Sequence, residues 1–552
     1  MHQALFVLEI LVEIFSHLNP IPSDESRTGL SQSRKSLAAL ARTCKTFYDP
    51  AMDLLWAILD DVWPLLGCVT RLHSSIYYHR PRSDYEFRYY YHGLKVSEYS
   101  HARSELKYSL STQTQFSLSP PDAVLFSEHE ARQFLRHAAR VRSLSVYTSY
   151  ILWFLNSDFP IETCLFPRLI SLSWKVHLPQ DNRLLHLFLS PTLRHCYLAT
   201  DNCDWKSITT NCATLETLSI MSSSVVLEAG LVPEAVAIPE AGVISRLSDT
   251  IRSCNRLVKL CCPLLDSAAW NHISNLPTLV SLEINRPGAN TQLLDRDDLN
   301  LAPFLNLTDL SLSLRSPSTD AVDIMTLIQH SEFPSLKKFE LRSYHSVPWA
   351  QVEQILRALS QCKTCQTLRH VSIRFNDHRH SVDNPLPMIR HFLCFTQLRH
   401  LSLFFNNGPI DLDNDLLLEA VSSWPHIEVL NFENRRQSAV TFRGLFAALR
   451  LCPRLHTLRI WMDAANIDID PEAESFQHQS LRALDFTWSN IGDAKAVAVI
   501  IASMLPSVSK VTHMIDDGRW EDVNLYLQSF HLSLPPPQIS RAVPKNLVHP
   551  YD

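Results

Sequence analysis

The residue types most able to do chemistry lie closest together at Asp377, His378 and His380. Carboxylate and imidazole groups at this spacing could ligate a metal ion or serve as general acid and base in a hydrolase. A buried zinc site, however, needs three or four ligands that converge from a rigid frame. The three residues follow a strand pattern and lie in a polar stretch. We therefore favour a solvated loop, with a hydrolase in residues 370–385 as the alternative.

The sequence contains one C-x-x-C pair, Cys362 and Cys365. No second pair follows at zinc-site spacing, and the pair ends a helical pattern, whereas a thioredoxin-like redox pair opens one. The 13 cysteines are scattered along a chain of 552 residues, which is too long to need a disulfide framework. We interpret them as reduced core residues and expect no metal and no cofactor.

Composition removes further classes of function. Only 10 residues are Gly, and none are spaced as in a phosphate-binding loop or a nucleophile elbow, so we expect no enzyme activity. The net charge of −6 gives no general attraction to nucleic acid or to an anionic membrane. Residues 71–125 are rich in Tyr, Arg and His; stacking on single-stranded nucleic acid is the alternative there, but dispersed acidic residues favour a connector.

The first 18 residues are apolar enough to suggest a signal peptide, but Glu9 and Glu13 interrupt the apolar run and no cleavage site follows. The longest other apolar run, 496–505, is half the length of a membrane-spanning helix. The sequence therefore predicts a protein of the cytoplasm, the nucleus or both, without membrane association.

The first helix, residues 5–18, has an unusually broad apolar surface. Glu9, Glu13, Ser16 and His17 form one narrow polar stripe, and apolar residues cover about two thirds of the circumference. A helix that lies on a single core needs an apolar arc of only about 100°. We therefore expect this helix to be covered from two sides.

Two more short helices follow a polar linker, residues 19–33. One pattern runs from Leu37 to Phe47, Pro50 is expected to interrupt it, and a third short helix contains Leu55 and Trp56. Three short helices bury little surface, so this segment is expected to dock on another structure.

This order of residues resembles the F-box, from Glu9-Ile10-Leu11 through Phe47 to Leu54-Leu55-Trp56. Phe6-Val7 stands where the family has Leu-Pro. The resemblance implies docking on a Skp-type adaptor and, through it, on a cullin. It implies an adaptor-binding set of thirteen residues: Phe6, Glu9, Ile10, Leu11, Ile14, Phe15, Leu18, Leu37, Leu40, Cys44, Phe47, Leu55 and Trp56. The alternative is an ordinary buried helical hairpin.

The rest of the chain repeats a short strand pattern, apolar-x-x-apolar-x-apolar. Successive copies lie 22 to 32 residues apart, except for one step of 42 residues, which fits an irregular leucine-rich-repeat solenoid. Helix-length segments lie between the strands, so neighbouring units must stack to bury their apolar edges. The second apolar residue of each copy is Leu144, Leu172, Cys196, Leu218, Leu260, Leu282, Leu310, Phe339, Val371, Leu401, Leu430, Leu458 or Leu484.

The predicted fold class is α/β: an F-box-like module of three helices followed by an irregular horseshoe of leucine-rich repeats. The predicted boundaries are 1–70 for the module, 71–125 for the connector, 126–515 for the solenoid and 516–552 for a C-terminal cap and tail. The chain is similar to the large fungal F-box families with leucine-rich regions. This implies a substrate-recognition subunit of a ubiquitin ligase; the alternative is a scaffold whose N-terminal helices only cap the solenoid.

A partner protein is expected to bind the concave strand face, because alternate strand side chains point to solvent. Stacked repeats would place Arg342 beside Arg374, then Phe404, with Trp461 two repeats further on. Exposed aromatic residues beside arginines are typical of interface hot spots. The predicted substrate-binding residues are Arg342, Arg374, Phe404, Arg459 and Trp461, and the arginines would suit an acidic or a phosphorylated segment.

Overall fold

The structure is a computed structural model. It describes residues 7–18, 27–77, 126–147, 164–176, 179–199, 203–211, 213–221, 241–286, 301–314, 319–343, 347, 349–362, 366–375, 388–405, 410, 412–434, 438–486, 488–514 and 518–533. Phe6, Cys365 and the cluster Asp377, His378 and His380 lie outside these residues, as do most of the predicted connector and the C-terminal tail.

The chain forms two compact units, Met1–Leu301 and Ala302–Asp552. The helices of the first unit are α1 Leu8–Ser16, α2 Arg27–Ala41, α3 Lys45–Ala57, α4 Trp63–Leu66, α5 Thr70–Tyr77, α6 Glu128–Ala138, α7 Trp205–Asn211, α8 Ala241–Ser253 and α9 Ser267–Ser274. Its strands are β1 Ile58–Leu59, β2 Ser143–Val146, β3 Ser171–Trp174, β4 His195–Leu198, β5 Thr217–Ile220, β6 Lys259–Pro263 and β7 Ser281–Arg286. A 3-10 helix spans Pro179–Phe188.

The second unit continues the alternation of strand and helix. Its strands are β8 Asp309–Leu314, β9 Lys338–Ser343, β10 His370–Phe375, β11 His400–Phe405, β12 Val429–Asn434, β13 Thr457–Arg459, β14 Ala483–Asp485 and β15 Val511–Thr512. Its helices are α10 Thr319–His330, α11 Trp349–Gln361, α12 Asn414–Ser423, α13 Phe442–Leu451, α14 Ala494–Met504 and α15 Arg519–Ser533, and a 3-10 helix spans Met388–Phe392.

All thirteen predicted strands are confirmed. Within each unit the strands follow chain order and pair in parallel, and the second apolar residue of each copy is aligned with that of its neighbours. These aligned residues are all buried. An N-terminal helical region followed by stacked parallel strands and helices is the predicted fold class.

Helix boundaries follow local capping chemistry. The Ser127 side chain and that of Glu130 each accept a hydrogen bond from the other residue's backbone N–H, which forms a capping box at the start of α6. Asp413 accepts from Leu416 N at 2.7 Å and starts α12, and Asp493 caps α14 in the same way. These caps satisfy donors that a helix leaves unpaired at its N-terminus.

One local prediction was wrong, and two short strands were not predicted. Pro50 was expected to interrupt a helix, but α3 runs through it, and the break lies earlier, before Lys45. Proline fits a helical φ but removes one backbone hydrogen bond near the start of α3, a cost that the burial of Pro50 offsets. The sequence pattern also did not predict β1 and β15, because a strand of two residues is too short to show an alternation of apolar and polar residues.

Candidate functional surfaces

Helix α1 has one side packed against its own chain. Leu11 is 1% exposed and Phe15 3%, and both belong to a small core with Leu37, which is fully buried. The Phe15 ring meets Phe47 of α3 edge-on, with centroids 5.4 Å apart and planes at 86°. This is a favourable aromatic arrangement that fixes the rotation of α1 about its axis.

The rest of the apolar surface of α1 is open in the isolated chain. Ile10 is 40% exposed and Ile14 44%, and Val7 and Leu18 are exposed on the same flank. At 100° per residue these four positions span about 80° of the helix circumference. We call them the exposed flank. Two further apolar residues, Leu8 and Val12, are exposed on the opposite side of the buried stripe.

The other residues of the predicted adaptor-binding set divide between core and surface. Leu40, Phe47 and Leu55 pack partly buried against the core around Phe15. Cys44 is half-buried at the N-cap of α3, and Glu9 is exposed. Leu11, Phe15 and Leu37 are therefore buried in their own chain and hold α1 in place, whereas the exposed flank is open to a partner.

The helical module is joined directly to the first repeats. Strand β1 pairs in parallel with β2, with Ile58 opposite Ser143, and Arg142 N donates to Ala57 O at 2.8 Å. Arg140 Nη2 lies 2.7 Å from Asp49 Oδ1, and the same guanidinium pairs with Asp53. Helix α3 thus leads directly into β1, the strand that pairs with β2.

An aromatic stack lies at this junction. The Trp56 ring lies parallel to His137 of α6, with centroids 4.4 Å apart and planes at 14°. Burial, and then the charges of Arg136 and Arg140, lower the pKa of His137 to about 4. In the described residues, His137 Nδ1 and Trp56 Nε1 are buried without a hydrogen-bond partner. The junction is therefore built for a neutral imidazole.

The first unit should lose stability in acid through His137. Its folded pKa lies below the ordinary value of 6.5, so its contribution is complete above pH 6.5 and is lost as the pH falls toward about 4. We expect the urea midpoint of the first unit to fall less between pH 7 and pH 4 in His137→Phe, which keeps the stacked ring and cannot titrate. Equal falls in wild type and variant would contradict this assignment.

In the second unit the register confirms the expected order of side chains on the strand face. Arg342 of β9 lies opposite Arg374 of β10, Arg374 opposite Phe404 of β11, and Phe404 opposite Glu433 of β12. The Arg374 guanidinium lies 5.4 Å from the centroid of the Phe404 ring, a cation–π contact. Arg342 also pairs with Glu340 on its own strand at 2.7 Å.

Arg459 is held by acidic residues on both neighbouring strands. Its Nη1 lies 2.8 Å from Glu433 Oε2, and its Nε lies 2.8 Å from Asp485 Oδ2. Trp461 is half-buried just beyond the end of β13. The five residues predicted to bind substrate therefore lie in one unit. Arg342, Arg374 and Phe404 share a row, and Arg459 lies two residues lower on the same face, in the row of Ser372 and Ser402.

Two histidines lie on the same face of β10 and β11, four residues before Arg374 and Phe404. The rings of His370 and His400 stack with centroids 4.1 Å apart. Burial lowers the pKa of His400 to about 4, and the charge of His370 adds to this. Burial also lowers the pKa of His370, with Lys338 contributing. Both rings are therefore neutral near pH 7 and present polar nitrogens without charge.

Sequence reasoning missed an exposed aromatic group in the first unit. Tyr147 is 46% exposed and Tyr197 40%, on the same face as Met221. Lys175 Nζ lies 4.7 Å from the Tyr147 ring centroid. The same alternation rule would have found these residues, because they occupy solvent-facing positions of β4 and positions just beyond β2 and β5.

Neither metal ligation nor membrane spanning finds support in the described ranges. No three His, Cys, Asp or Glu side chains there form a group that could hold a metal ion. None of the helices in the same ranges has the length and hydropathy needed to cross a bilayer.

Comparison with known protein families finds a match for the N-terminal helices. A family model described as F-box-like matches residues 8–60, which span α1 to β1. The N-terminal region is therefore F-box-like, and the repeats that follow have the strand and helix order of a leucine-rich-repeat solenoid. Among solved structures, an internalin (inlF) from Listeria monocytogenes is similar at 12% identity, with a TM-score of 0.35, over 68% of this chain and 88% of the internalin. No curated protein matches the chain.

Proposed function

We propose that this protein is the substrate-recognition subunit of a Skp-cullin-F-box type ubiquitin ligase. The F-box-like helices dock on a Skp-type adaptor, and through it on a cullin, while the repeat face holds a protein substrate. The chain itself carries out no bond chemistry. It raises the local concentration of a substrate lysine near the ubiquitin-carrying enzyme, which turns a chance encounter into a local reaction.

The exposed flank of α1 is the observation that carries this proposal. Leu11 and Phe15 anchor the helix, and Ile10, Ile14 and Leu18 remain exposed in the isolated chain. Contiguous apolar surface of this kind marks a protein interaction site in a folded protein. The F-box-like match over residues 8–60 supports a Skp-type adaptor as the partner that covers it.

Co-purification with a Skp-type adaptor tests the proposal. We expect Ile10→Asp and Ile14→Asp each to weaken adaptor binding at least tenfold, because a carboxylate would be buried at an apolar contact without a partner. Glu13→Ala is the matched control, since Glu13 lies on the polar stripe of the same helix and is exposed. Adaptor binding that survives both aspartate substitutions, in chains with unchanged α-helical content, would contradict the proposal.

A non-ligase scaffold is the second candidate function. It is favoured by the pairing of β1 with β2 and by the Arg140 contacts with Asp49 and Asp53, which make α3 and β1 a cap for the first repeat. Capping and adaptor docking use different surfaces, so the cap contacts do not occupy the exposed flank. A scaffold of this kind would bind no adaptor.

Two narrower proposals follow from the sequence resemblance. We propose that the chain belongs with the large fungal F-box families that carry leucine-rich regions. We also propose that it works in the cytoplasm, the nucleus or both, where cullin-based ligases act.

A further inference from the structure

The strand face of the second unit has a basic end. On strands β8 to β10 the side chains of this face include three cations, Lys338, Arg342 and Arg374, and two carboxylates, Asp309 and Glu340. Glu340 lies within 2.8 Å of Lys338 and 2.7 Å of Arg342, so it neutralises one of these charges. These strand positions carry a net charge of +1, with Arg342 and Arg374 exposed at one side of the face.

The same face has an acidic end, which begins two strands after β10. On β12 to β14 the one cation, Arg459, is shared by Glu433 and Asp485. These positions carry a net charge of −1. In the row of Arg374, Phe404 separates this arginine from Glu433, and Asp485 lies in the neighbouring row beside Arg459.

The strip between the two ends is uncharged. Phe404 lies half-buried between Arg374 and Glu433 in the row. Ser372 and Ser402 fill the neighbouring row, and the stacked His370 and His400 rings lie beyond them. Since the low pKa values of both histidines leave them neutral near pH 7, the charge of this face changes sign across an aromatic and hydroxyl-bearing strip.

The row matches the length of a short extended peptide. Neighbouring strands lie about 4.8 Å apart, so Arg342 and Glu433 are about 14 Å apart along the sheet, and an extended chain covers that distance in about four residues. A peptide that crosses the strands along this row would meet two arginines, then a phenyl ring, then a carboxylate.

We propose that this face binds an extended segment of a partner protein whose charges are segregated: acidic side chains over Arg342 and Arg374, an apolar side chain on Phe404, and basic side chains at the acidic end, over Glu433. The proposal deepens the proposed function, because it rests on the repeat face being the substrate site and names the class of substrate. Carboxylates are the acidic groups we assign, since each planar guanidinium can engage one carboxylate through two parallel hydrogen bonds.

Fluorescence anisotropy with the full chain and two labelled peptides tests this order of charges. In a background of Gly and Ser, one peptide carries two glutamates, a leucine and two lysines in that order, and the other carries the same five residues with acidic and basic positions interleaved. We expect the segregated peptide to bind at least tenfold more tightly, and the difference to shrink at high salt. Equal binding of the two peptides would overturn the proposal.

Two variants tie the binding to the face. Arg374→Glu, and separately Arg342→Ala, should weaken the segregated peptide at least tenfold. Arg454→Glu removes an exposed arginine from the turn before β13 and should leave binding unchanged. An unaffected Arg374→Glu chain would overturn the proposal, as would a phosphoserine version of the peptide that binds where the glutamate version does not. Neither result affects adaptor docking, which α1 variants test separately.

Discussion

Phe15→Ala should lower the free energy of unfolding of the N-terminal helices by about 3 to 5 kcal/mol, the usual range for removing a buried phenylalanine. Phe15 is 3% exposed and contacts Phe47 edge-on, in a core whose buried members are few. A small core has little other material to close the cavity. We therefore expect α1 to detach from α3 rather than to repack.

Hydrogen exchange of the α1 amides, together with urea unfolding, measures this effect, and Ile14→Ala is the matched control. Ile14 lies on the same helix but on the exposed flank, so its truncation should change stability by less than about 0.5 kcal/mol. If both variants lost the same protection, the assignment of Phe15 to the core and of Ile14 to the surface would be wrong. Adaptor binding alone cannot separate the two variants, since detachment of α1 and truncation of its exposed flank would both weaken the proposed adaptor contact.

Periodicity predicted most of the repeat fold. The buried residue at the centre of each strand, such as Leu401 or Leu430, is fixed by alternation, and a parallel sheet in chain order follows from repeats of similar length. The row from Arg342 to Phe404 was predictable for the same reason, because parallel strands stack equivalent positions side by side.

The arrangement of α1 was only half predictable. The width of its apolar arc predicted that two surfaces are covered, but not which residues face the chain's own core. The rotation of the helix is set by the contact of Phe15 with Phe47, and that contact depends on the packing of α3, which local spacing does not encode. The predicted adaptor-binding set therefore mixes core residues such as Leu11 with surface residues such as Ile10.

The junction was not predictable at all. Arg140, in the turn after α6, lies 91 residues after Asp49, and no local pattern links this turn to carboxylates so distant in sequence. The same holds for Trp56 and His137, whose stack depends on β1 joining the sheet as its first strand. Long-range pairing of this kind depends on the three-dimensional register of the repeats.

Deletion of residues 1–60 should destabilise the first unit by about 5 kcal/mol. The deletion removes the tryptophan that stacks on His137, which by itself resembles a large-to-small core substitution of about 3 kcal/mol. It also removes the backbone hydrogen bonds of β1 and Ala57 to the β2 side, at about 1 kcal/mol each. Arg140 loses Asp49 and Asp53 at the same time.

Strand β2 should report this loss most directly, because without β1 it becomes an edge whose backbone groups are open to water and to other chains. We expect the amides of Ser143 to Val146 to exchange much faster in the deletion variant, and the variant to aggregate more readily. Deletion of residues 1–18 is the control: it removes α1, whose buried contacts are with α2 and α3, and leaves β1 in place. If β2 kept its protection without residues 1–60, the N-terminal helices would not cap the sheet. A protein that needs these helices for capping and also leaves the α1 flank exposed would carry both functions in one segment, so adaptor binding, rather than the stability of the repeats, decides between ligase subunit and scaffold.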